Sequence, residues 1–161
     1  MEIVFTNNVL INLDNEKYEF LYVQDLVPLC CDKNLNVYDH KDSEYNDRKK
    51  NAFGERDYCS FKIDYPQKVS GVYLWVVDDE IIYIGETDDL VKRFNSGYGK
   101  ITPYNCTTKG QITNCKMNGV VLDYFCQNKV IHLYFLPTTN YKQVELKLLS
   151  NITTKYNSKN N

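Results

Sequence analysis

The chain of 161 residues is 43% hydrophobic and 25% charged, with a formal net charge of −2. This length and composition predict one soluble globular protein that can bury a core without disulfide staples. No apolar run approaches the ~18–20 residues that a membrane helix needs, and the first residues, MEIVFTNNVLINLDNEK, have no basic region before their apolar stretch. We therefore expect no signal peptide, no membrane partner and a cytoplasmic location.

The six cysteines follow no CxxC-type zinc spacing, and the chain is long for a disulfide scaffold. We interpret them as reduced, mostly buried thiols. A zinc site formed by Cys59, Cys106, Cys115 and His132 stays open as an alternative.

The charge is distributed unevenly along the chain. Residues 1–91 carry a net charge of −10, whereas residues 92–161 carry a net charge of +8 with only two acidic residues, Asp123 and Glu145. A polyanionic partner of the C-terminal half would account for this asymmetry. A solvated lysine face is the other explanation.

The first third of the chain combines strand-like and polar segments. The pieces EIVFT, VLINL and YEFLYVQDLVPL within residues 1–29 have strand character, and residues 32–57 form a polar, weakly periodic segment that we interpret as loop or short helix.

A sharper pattern begins at residue 69. The run VSGVYLWVV predicts a strand, DDE at 78–80 a turn, and IIYIGE a second strand, so that an antiparallel hairpin is expected. Thr87 or Asp88 then caps a predicted helix, DDLVKRFNSG, which Gly97 and Gly99 end.

The remaining elements follow in order. Residues 100–114 are a predicted loop, 115–129 a helix, 130–137 a third strand that ends at Pro137, and 141–152 an amphipathic helix. The C-terminal half therefore has the predicted order β-β-α-α-β-α.

Three side chains of this region form a candidate site. A tyrosine in a strand is usually a core residue, but Tyr73 and Tyr83 can project to the same face of the hairpin, and the next helix can carry Arg93 to that face. A guanidinium and two phenols suit the handling of a phosphodiester. Glu145, one of the two acids in the basic half, is the candidate ligand of a magnesium ion, which keeps most of its water.

These residues resemble the GIY-YIG nucleases over roughly residues 69–157. The matching elements are GVY (71–73), YIG (83–85), Arg93, Glu145 and Asn157. The stretch GYGKITPYNCTTKGQITNCKMN (97–118) is also similar to a subset of bacterial and phage members that includes small restriction endonucleases.

The resemblance implies an α/β (α+β) fold with a small three-stranded antiparallel or mixed sheet flanked by helices. Residues 67–161 would be the nuclease domain, and residues 1–66 an N-terminal extension for DNA recognition, dimerisation or packing. The implied activity is hydrolysis of DNA, double-stranded in this interpretation, with Mg²⁺ or Mn²⁺, by an endonuclease of restriction or defence type. A second copy of the chain is a candidate partner.

The resemblance also implies the role of each site residue. Tyr73 would act as the general base or orient the attacking water, and Tyr83 would position the scissile phosphate. Arg93 would stabilise the transition-state charge, Tyr98 would contact the phosphate or leaving group, and Glu145 would bind the metal.

Further residues are expected to contact DNA. Asn157 would brace the site, Gln111 and Asn114 could pair with base edges, and Asn114 could instead cap a helix beginning at Cys115. Positive charge would come from four lysines: Lys92, Lys100, Lys109 and Lys116. Glu86 departs from the family pattern, because many members have a lysine at that position.

Two other functions remain in competition. A non-catalytic module that binds nucleic acid or protein would explain the acidic N-terminal half and Glu86. Nicking or repair of branched DNA would use the same site as the endonuclease and differ in its partners.

Overall fold

The computed structural model describes residues 1–31, 34–35, 37–38 and 48–157 of a mixed α/β protein. Part of the polar segment 32–57 therefore lies outside the described residues. The elements in chain order are β1 (Glu2–Phe5), β2 (Val9–Leu13), β3 (Glu16–Leu26), β4 (Cys30–Cys31), β5 (Asn34–Leu35), β6 (Val37–Tyr38), β7 (Tyr58–Cys59), β8 (Gly71–Val77), β9 (Glu80–Thr87), α1 (Leu90–Lys92), a π-helical segment (Arg93–Tyr98), a 3₁₀ turn (Pro103–Cys106), α2 (Ile112–Cys126), β10 (Ile131–Pro137) and α3 (Tyr141–Asn151).

The chain forms two compact units. The first contains residues 1–25, 65–90 and the chain from Ile131 onward, and the second contains the described residues of 26–64 together with 91–130. Each unit thus draws on both sides of residue 66, where the sequence analysis placed a boundary.

The first unit is built on a curled antiparallel sheet with the strand order β1-β2-β3-β10-β8-β9. The expectation of three strands is therefore wrong in number, although the hairpin β8–β9 and its neighbour β10 are present. The N-terminal strands extend this sheet because they have an apolar face to bury: Val9, Ile11 and Phe20 are fully buried in the core that β8 also lines.

Two tight turns connect the hairpins of this sheet, and a β-bulge between Trp75 and Val76 shifts the register of β8 and β9 by one residue. Asp14 and Asn15 join β2 to β3, and Asp78 and Asp79 join β8 to β9, all four with positive φ. Two consecutive residues of positive φ are the signature of a type I′ turn, whose twist matches that of the flanking strands, and Asp and Asn tolerate this conformation best after glycine. The predicted hairpin around DDE is confirmed.

Helix α3 covers one face of the sheet. Leu148 and Val144 of this helix pack against a core that includes Val72, Leu74 and Ile84. Side chains alternate along a strand, so Tyr73 and Trp75 belong to the opposite face. Both are also buried, which makes β8 a strand covered on both sides.

The second unit packs around α2. Its core joins Tyr58, Ile101, Cys106 and Cys115, and asparagine side chains attach loops to it by hydrogen bonds to backbone. Asn95 is one of these, because its Oδ1 accepts from Ile63 N at 2.8 Å and its Nδ2 donates to Ile63 O at 3.0 Å.

The predicted order β-β-α-α-β-α is confirmed, with two differences in the helices. The first helix is α-helical only over Leu90–Lys92 and continues as a π-helix over Arg93–Tyr98. The second begins at Ile112, earlier than residue 115. None of the helices in the described residues is long and apolar enough to cross a bilayer.

Candidate functional site

Tyr73 and Tyr83 lie on the same face of the β8–β9 hairpin. Tyr73 is paired in register with Gly85, and Tyr83 with Trp75, so all four residues share one face. The ring centroids of Tyr73 and Tyr83 are 6.3 Å apart, with an interplanar angle of 44°. The expected pairing of the two phenols is therefore present, with Tyr83 half-buried and Tyr73 only 1% exposed.

The Tyr73 ring lies across the backbone of Gly85. A Cβ atom at residue 85 would stand 2.4 Å from both Cζ and Oη of Tyr73. No glycine among the described residues has a positive φ, so Gly85 is required for space and not for its backbone conformation. The glycine of the YIG element thus keeps room for the phenol of the GVY element.

Asn157 fixes the backbone between Tyr83 and Gly85. Its Oδ1 accepts from Ile84 N at 2.8 Å, its Nδ2 donates to Ile84 O at 2.7 Å, and Thr154 Oγ1 donates to the same Oδ1 at 2.6 Å. Strand β9 is at the edge of the sheet, and the amide of Asn157 supplies it with a pair of hydrogen bonds that a neighbouring strand would otherwise provide. Asn157 therefore supports the strand that carries Tyr83.

The two carboxylates of interest belong to the other side of the sheet. Glu145 lies half-buried on α3, the helix that packs on the Leu74 and Ile84 face. Glu86 is paired in register with Val72, and it therefore also belongs to that face. The structure thus separates Glu86 from the phenol pair by the thickness of a strand.

Arg93 and Tyr98 belong to the second unit, on the π-helical segment. The guanidinium carbon of Arg93 is 5.7 Å from the centroid of the Tyr98 ring, a cation–π contact, and the Tyr98 ring also packs edge-on against Phe94. Tyr98 is 1% exposed. Segments of π-helix are uncommon and are frequent at functional sites, because the wider turn re-aims side chains.

Positive charge is concentrated in the same unit. Residues 91–130 contain six lysines and arginines and a single acidic residue, Asp123. Asp123 forms a salt bridge with Arg56, which offsets its charge. Of the four lysines expected to contact DNA, Lys92, Lys100 and Lys109 are exposed and Lys116 is half-buried.

Gln111 and Asn114 interact with each other. Asn114 Nδ2 donates to Gln111 Oε1, and Asn114 is only 4% exposed. Gln111 is the N-cap residue of α2, whereas Asn114 lies within its first turn. The alternative in which Asn114 caps a helix beginning at Cys115 is therefore wrong, and the exposed partner of the pair is Gln111.

Asn118 is a key residue that the sequence analysis did not assign. It is fully buried in α2, and its Nδ2 donates to the carbonyls of Tyr98 at 2.6 Å and Cys59 at 2.7 Å. Its Oδ1 accepts from Cys59 N at 2.9 Å. Asn118 thereby anchors the end of the π-helical segment, and the available signal was a polar residue among the buried apolar positions of a helix.

The buried thiols Cys106 and Cys115 pack together with Tyr58. A hydrogen bond with Cys106 lowers the pKa of Cys115 to about 7, against the effect of burial, whereas its contact with Cys115 and burial raise the pKa of Cys106. Within the described residues no group of three or more His, Cys, Asp or Glu side chains is arranged to hold a metal ion, so the zinc alternative has no support.

The comparisons with known proteins identify no relative. No family model, no curated protein and no solved structure matches this chain.

Proposed function

We propose that the protein is a divalent-metal-dependent DNA endonuclease that hydrolyses phosphodiester bonds, of restriction or defence type, acting in the cytoplasm on double-stranded DNA. The observation that carries the proposal is the hairpin itself. The ring centroids of Tyr73 and Tyr83 lie 6.3 Å apart on one face, Gly85 leaves room for the Tyr73 ring, and Asn157 holds the strand that carries Tyr83.

The phenols have defined tasks in this proposal. The Tyr73 hydroxyl orients or deprotonates the attacking water, and the half-buried Tyr83 contacts the scissile phosphate. Arg93 stabilises the charge that develops on the phosphate, because its fork of N–H donors matches the non-bridging oxygens. Tyr98 orients the guanidinium through their cation–π contact.

The charge distribution supports a nucleic-acid partner. Six cationic side chains and one acid occupy residues 91–130, and that acid is paired with Arg56. The lysine and arginine side chains of this segment attract a phosphate backbone regardless of its sequence, with an affinity that falls as salt rises. Gln111, exposed at the start of α2, is the candidate for a base contact.

The metal would be held by Glu145 in this proposal. A single hard carboxylate oxygen fits Mg²⁺ or Mn²⁺, which take their remaining ligands from water and substrate, and does not fit a closed zinc site. The bound ion would supply a Lewis acid for the phosphoryl oxygen. Glu145 lies on α3, the helix that packs on the face opposite the phenols, and its role as metal ligand is tested by Glu145→Gln.

Cleavage of plasmid DNA with Mg²⁺ or Mn²⁺ tests the proposal. Tyr73→Phe is expected to slow cleavage about 10²-fold or more, since it keeps the ring and removes the proton-transfer group. Glu145→Gln should slow it to a similar degree through loss of the metal charge. The matched controls are Tyr18→Phe, which removes a phenol from the core on the α3 face, and Glu80→Gln, an exposed glutamate at the start of β9; both should cleave normally.

The outcomes separate the endonuclease from its competitors. Undiminished cleavage by Glu145→Gln would show that Glu145 is not a required metal ligand. Undiminished cleavage by Tyr73→Phe would show that the Tyr73 hydroxyl has no catalytic role and that Tyr73 is a core residue only. Cleavage restricted to one strand or to branched substrates would favour the nicking or repair role. Sequencing the ends produced from a genomic library would reveal a recognition site.

A non-catalytic binding module is the second candidate function. The observation that favours it is the burial of Tyr73 and Tyr98, each 1% exposed. This candidate predicts that the protein shifts labelled DNA or RNA in a gel, in a salt-dependent manner, with no cleavage under any metal condition and no effect of Glu145→Gln.

A further inference from the structure

A second concave site lies in the first unit, on the α3 face of the sheet. It is an open depression of about 450 Å³ lined by the β1–β2 turn (Thr6, Asn7 and Asn8), by Tyr22 and Asp25 of β3, and by His132 and Tyr134 of β10. None of the roles proposed above uses these residues. The volume suits one small organic group.

Two tyrosine rings form a corner in this depression. The centroids of Tyr22 and Tyr134 are 5.6 Å apart with an interplanar angle of 72°, and the imidazole of His132 lies 6.3 Å from Tyr22 at 56°. Tyr22 is 46% exposed, so part of its surface remains accessible to a ligand. Tyr134 is 8% exposed, so Tyr22 supplies most of the aromatic surface that a ligand can reach.

The carboxylate of Asp25 holds this corner together. Its Oδ1 accepts from the Tyr22 hydroxyl at 2.9 Å and is 2.6 Å from His132 Nδ1. The Asp25 side chain is nevertheless 41% exposed. The Asp25 carboxylate thus contacts both side chains and remains partly accessible to solvent.

Hydrogen bonds connect the rim of the depression to β3. Asn8 joins the β1–β2 turn to β3, because its Nδ2 donates to Glu19 at 3.2 Å and its Oδ1 accepts from Tyr22 N at 3.4 Å. No lysine or arginine is among the seven residues that line the depression. Asp25 and Asp79 also raise the pKa of Tyr134, after the larger effect of burial, which indicates a negative potential at the corner.

We propose that this depression binds an organic ammonium cation. Aromatic faces together with an exposed carboxylate are the combination that recognises alkylated ammonium groups, because the rings accept the apolar shell and the carboxylate the charge. The cation can come from a small amine or from a lysine side chain of a protein. This inference is independent of the endonuclease proposal.

Choline and 3,3-dimethyl-1-butanol are the probes, since they have nearly the same shape and differ in charge. They are titrated into the full chain at pH 8, where imidazole is ordinarily neutral, and the ring signals of Tyr22, Tyr134 and His132 are followed by NMR. Choline should give saturable shifts with a dissociation constant on the order of 1–10 mM. The neutral alcohol should bind about tenfold more weakly or not at all.

Three variants localise the effect. Asp25→Asn and Tyr22→Leu should each weaken choline binding about tenfold, and Tyr22→Phe, which keeps the ring, should stay within about threefold of the wild type. Asp57→Asn, which removes an exposed carboxylate from the second unit, is the control for net charge and should bind choline unchanged. Circular dichroism checks that each variant is folded. If Asp25→Asn does not fold, Tyr22→Leu is the variant that tests whether choline binds in the depression.

The result can also overturn the proposal. Equal affinity for choline and the alcohol would show that the depression recognises apolar surface and not positive charge. The absence of saturable shifts of the ring signals up to about 50 mM choline would show that the depression does not bind the cation. Equal binding by wild type and Tyr22→Leu would place the cation elsewhere. Replacing choline by N-acetyl-lysine amide and by a lysine-containing peptide then separates the two sources: tighter binding of the peptide supports a protein ligand, and tighter binding of choline a small amine.

Discussion

Replacing Gly85 by alanine tests the arrangement of the hairpin most directly. The added Cβ would stand 2.4 Å from Cζ and Oη of Tyr73, whereas an ordinary contact is 3.4–4 Å. The ring must therefore move by about 1 Å within a packed core. The backbone conformation at residue 85 permits alanine, because no described glycine has a positive φ. Alanine in a strand is normally more stable than glycine by roughly 0.5–1 kcal/mol.

The expected free-energy change is the difference between these two effects. Moving packed side chains to admit a methyl group costs about 1–3 kcal/mol, and the alanine preference offsets part of it. Gly85→Ala should therefore lower the free energy of unfolding by about 1–2 kcal/mol, which corresponds to a fall in Tm of about 2–8 °C for a chain of this size.

Urea unfolding followed by fluorescence measures this change. Trp75 is the sole tryptophan of the chain and packs edge-on against Tyr83 at 5.7 Å, so it reports on the hairpin itself. Gly97→Ala is the control, since the nearest atom to its Cβ, Asn114 Oδ1, is at an ordinary 3.6 Å. Gly97→Ala should be neutral or stabilising.

A double-mutant cycle identifies the clashing partner. Tyr73→Leu removes the two ring atoms nearest the new methyl group, so Gly85→Ala should cost little in that background, with a coupling energy of about 1 kcal/mol or more. The reasoning fails if Gly85→Ala is neutral in the wild type. It also fails if the loss is the same with Tyr73 and with leucine at that position.

Two further predictions concern buried hydrogen bonds and pH. Asn118→Ala should lower the free energy of unfolding by about 2–4 kcal/mol, because it leaves buried backbone groups of Cys59 and Tyr98 without hydrogen-bond partners. The control Asn151→Ala, at an exposed position, should cost at most about 0.5 kcal/mol. Urea unfolding measures both changes, and a loss below about 1 kcal/mol for Asn118→Ala would contradict the structural role given to Asn118. Burial and then the hydrogen bond to Asp25 raise the pKa of Tyr22 to about 12, so the stabilisation from its protonated phenol is complete below pH ~10 and is lost as pH rises toward 12. Tyr22→Phe should therefore lose less stability than the wild type over that interval in urea titrations, and an equal loss in both proteins would refute this contribution.

The sequence by itself determined the elements whose causes are local. The β8–β9 hairpin follows from two runs of β-branched and aromatic residues on either side of Asp78–Asp79, and the order β-β-α-α-β-α follows from the pattern of residues 69–152. The turn alone does not place Tyr73 and Tyr83 on one face, because its register would put Tyr83 opposite Leu74. A β-bulge between Trp75 and Val76 shifts the register by one residue and brings Tyr83 opposite Trp75.

Only the tertiary structure decided which elements share a sheet and which face each helix covers. The sequence predicts the segments of β1–β3 as separate strand-like pieces, and no local sequence signal indicates that β3 pairs with β10. The placement of α3 opposite the phenols, and with it the position of Glu145, depends on which apolar face its Val144 and Leu148 bury. Periodicity indicates that such a face exists and does not name its partner.

The same holds for the residues that stabilise the site. Asn118 bonds to Cys59, 59 residues away, Asn157 bonds to Ile84, 73 residues away, and Gly85 is needed because of a ring on the neighbouring strand. An asparagine or a glycine has the same local preferences wherever it stands. Its role here comes from buried backbone groups and packed atoms that distant parts of the chain bring to it, and these contacts form only when the chain folds.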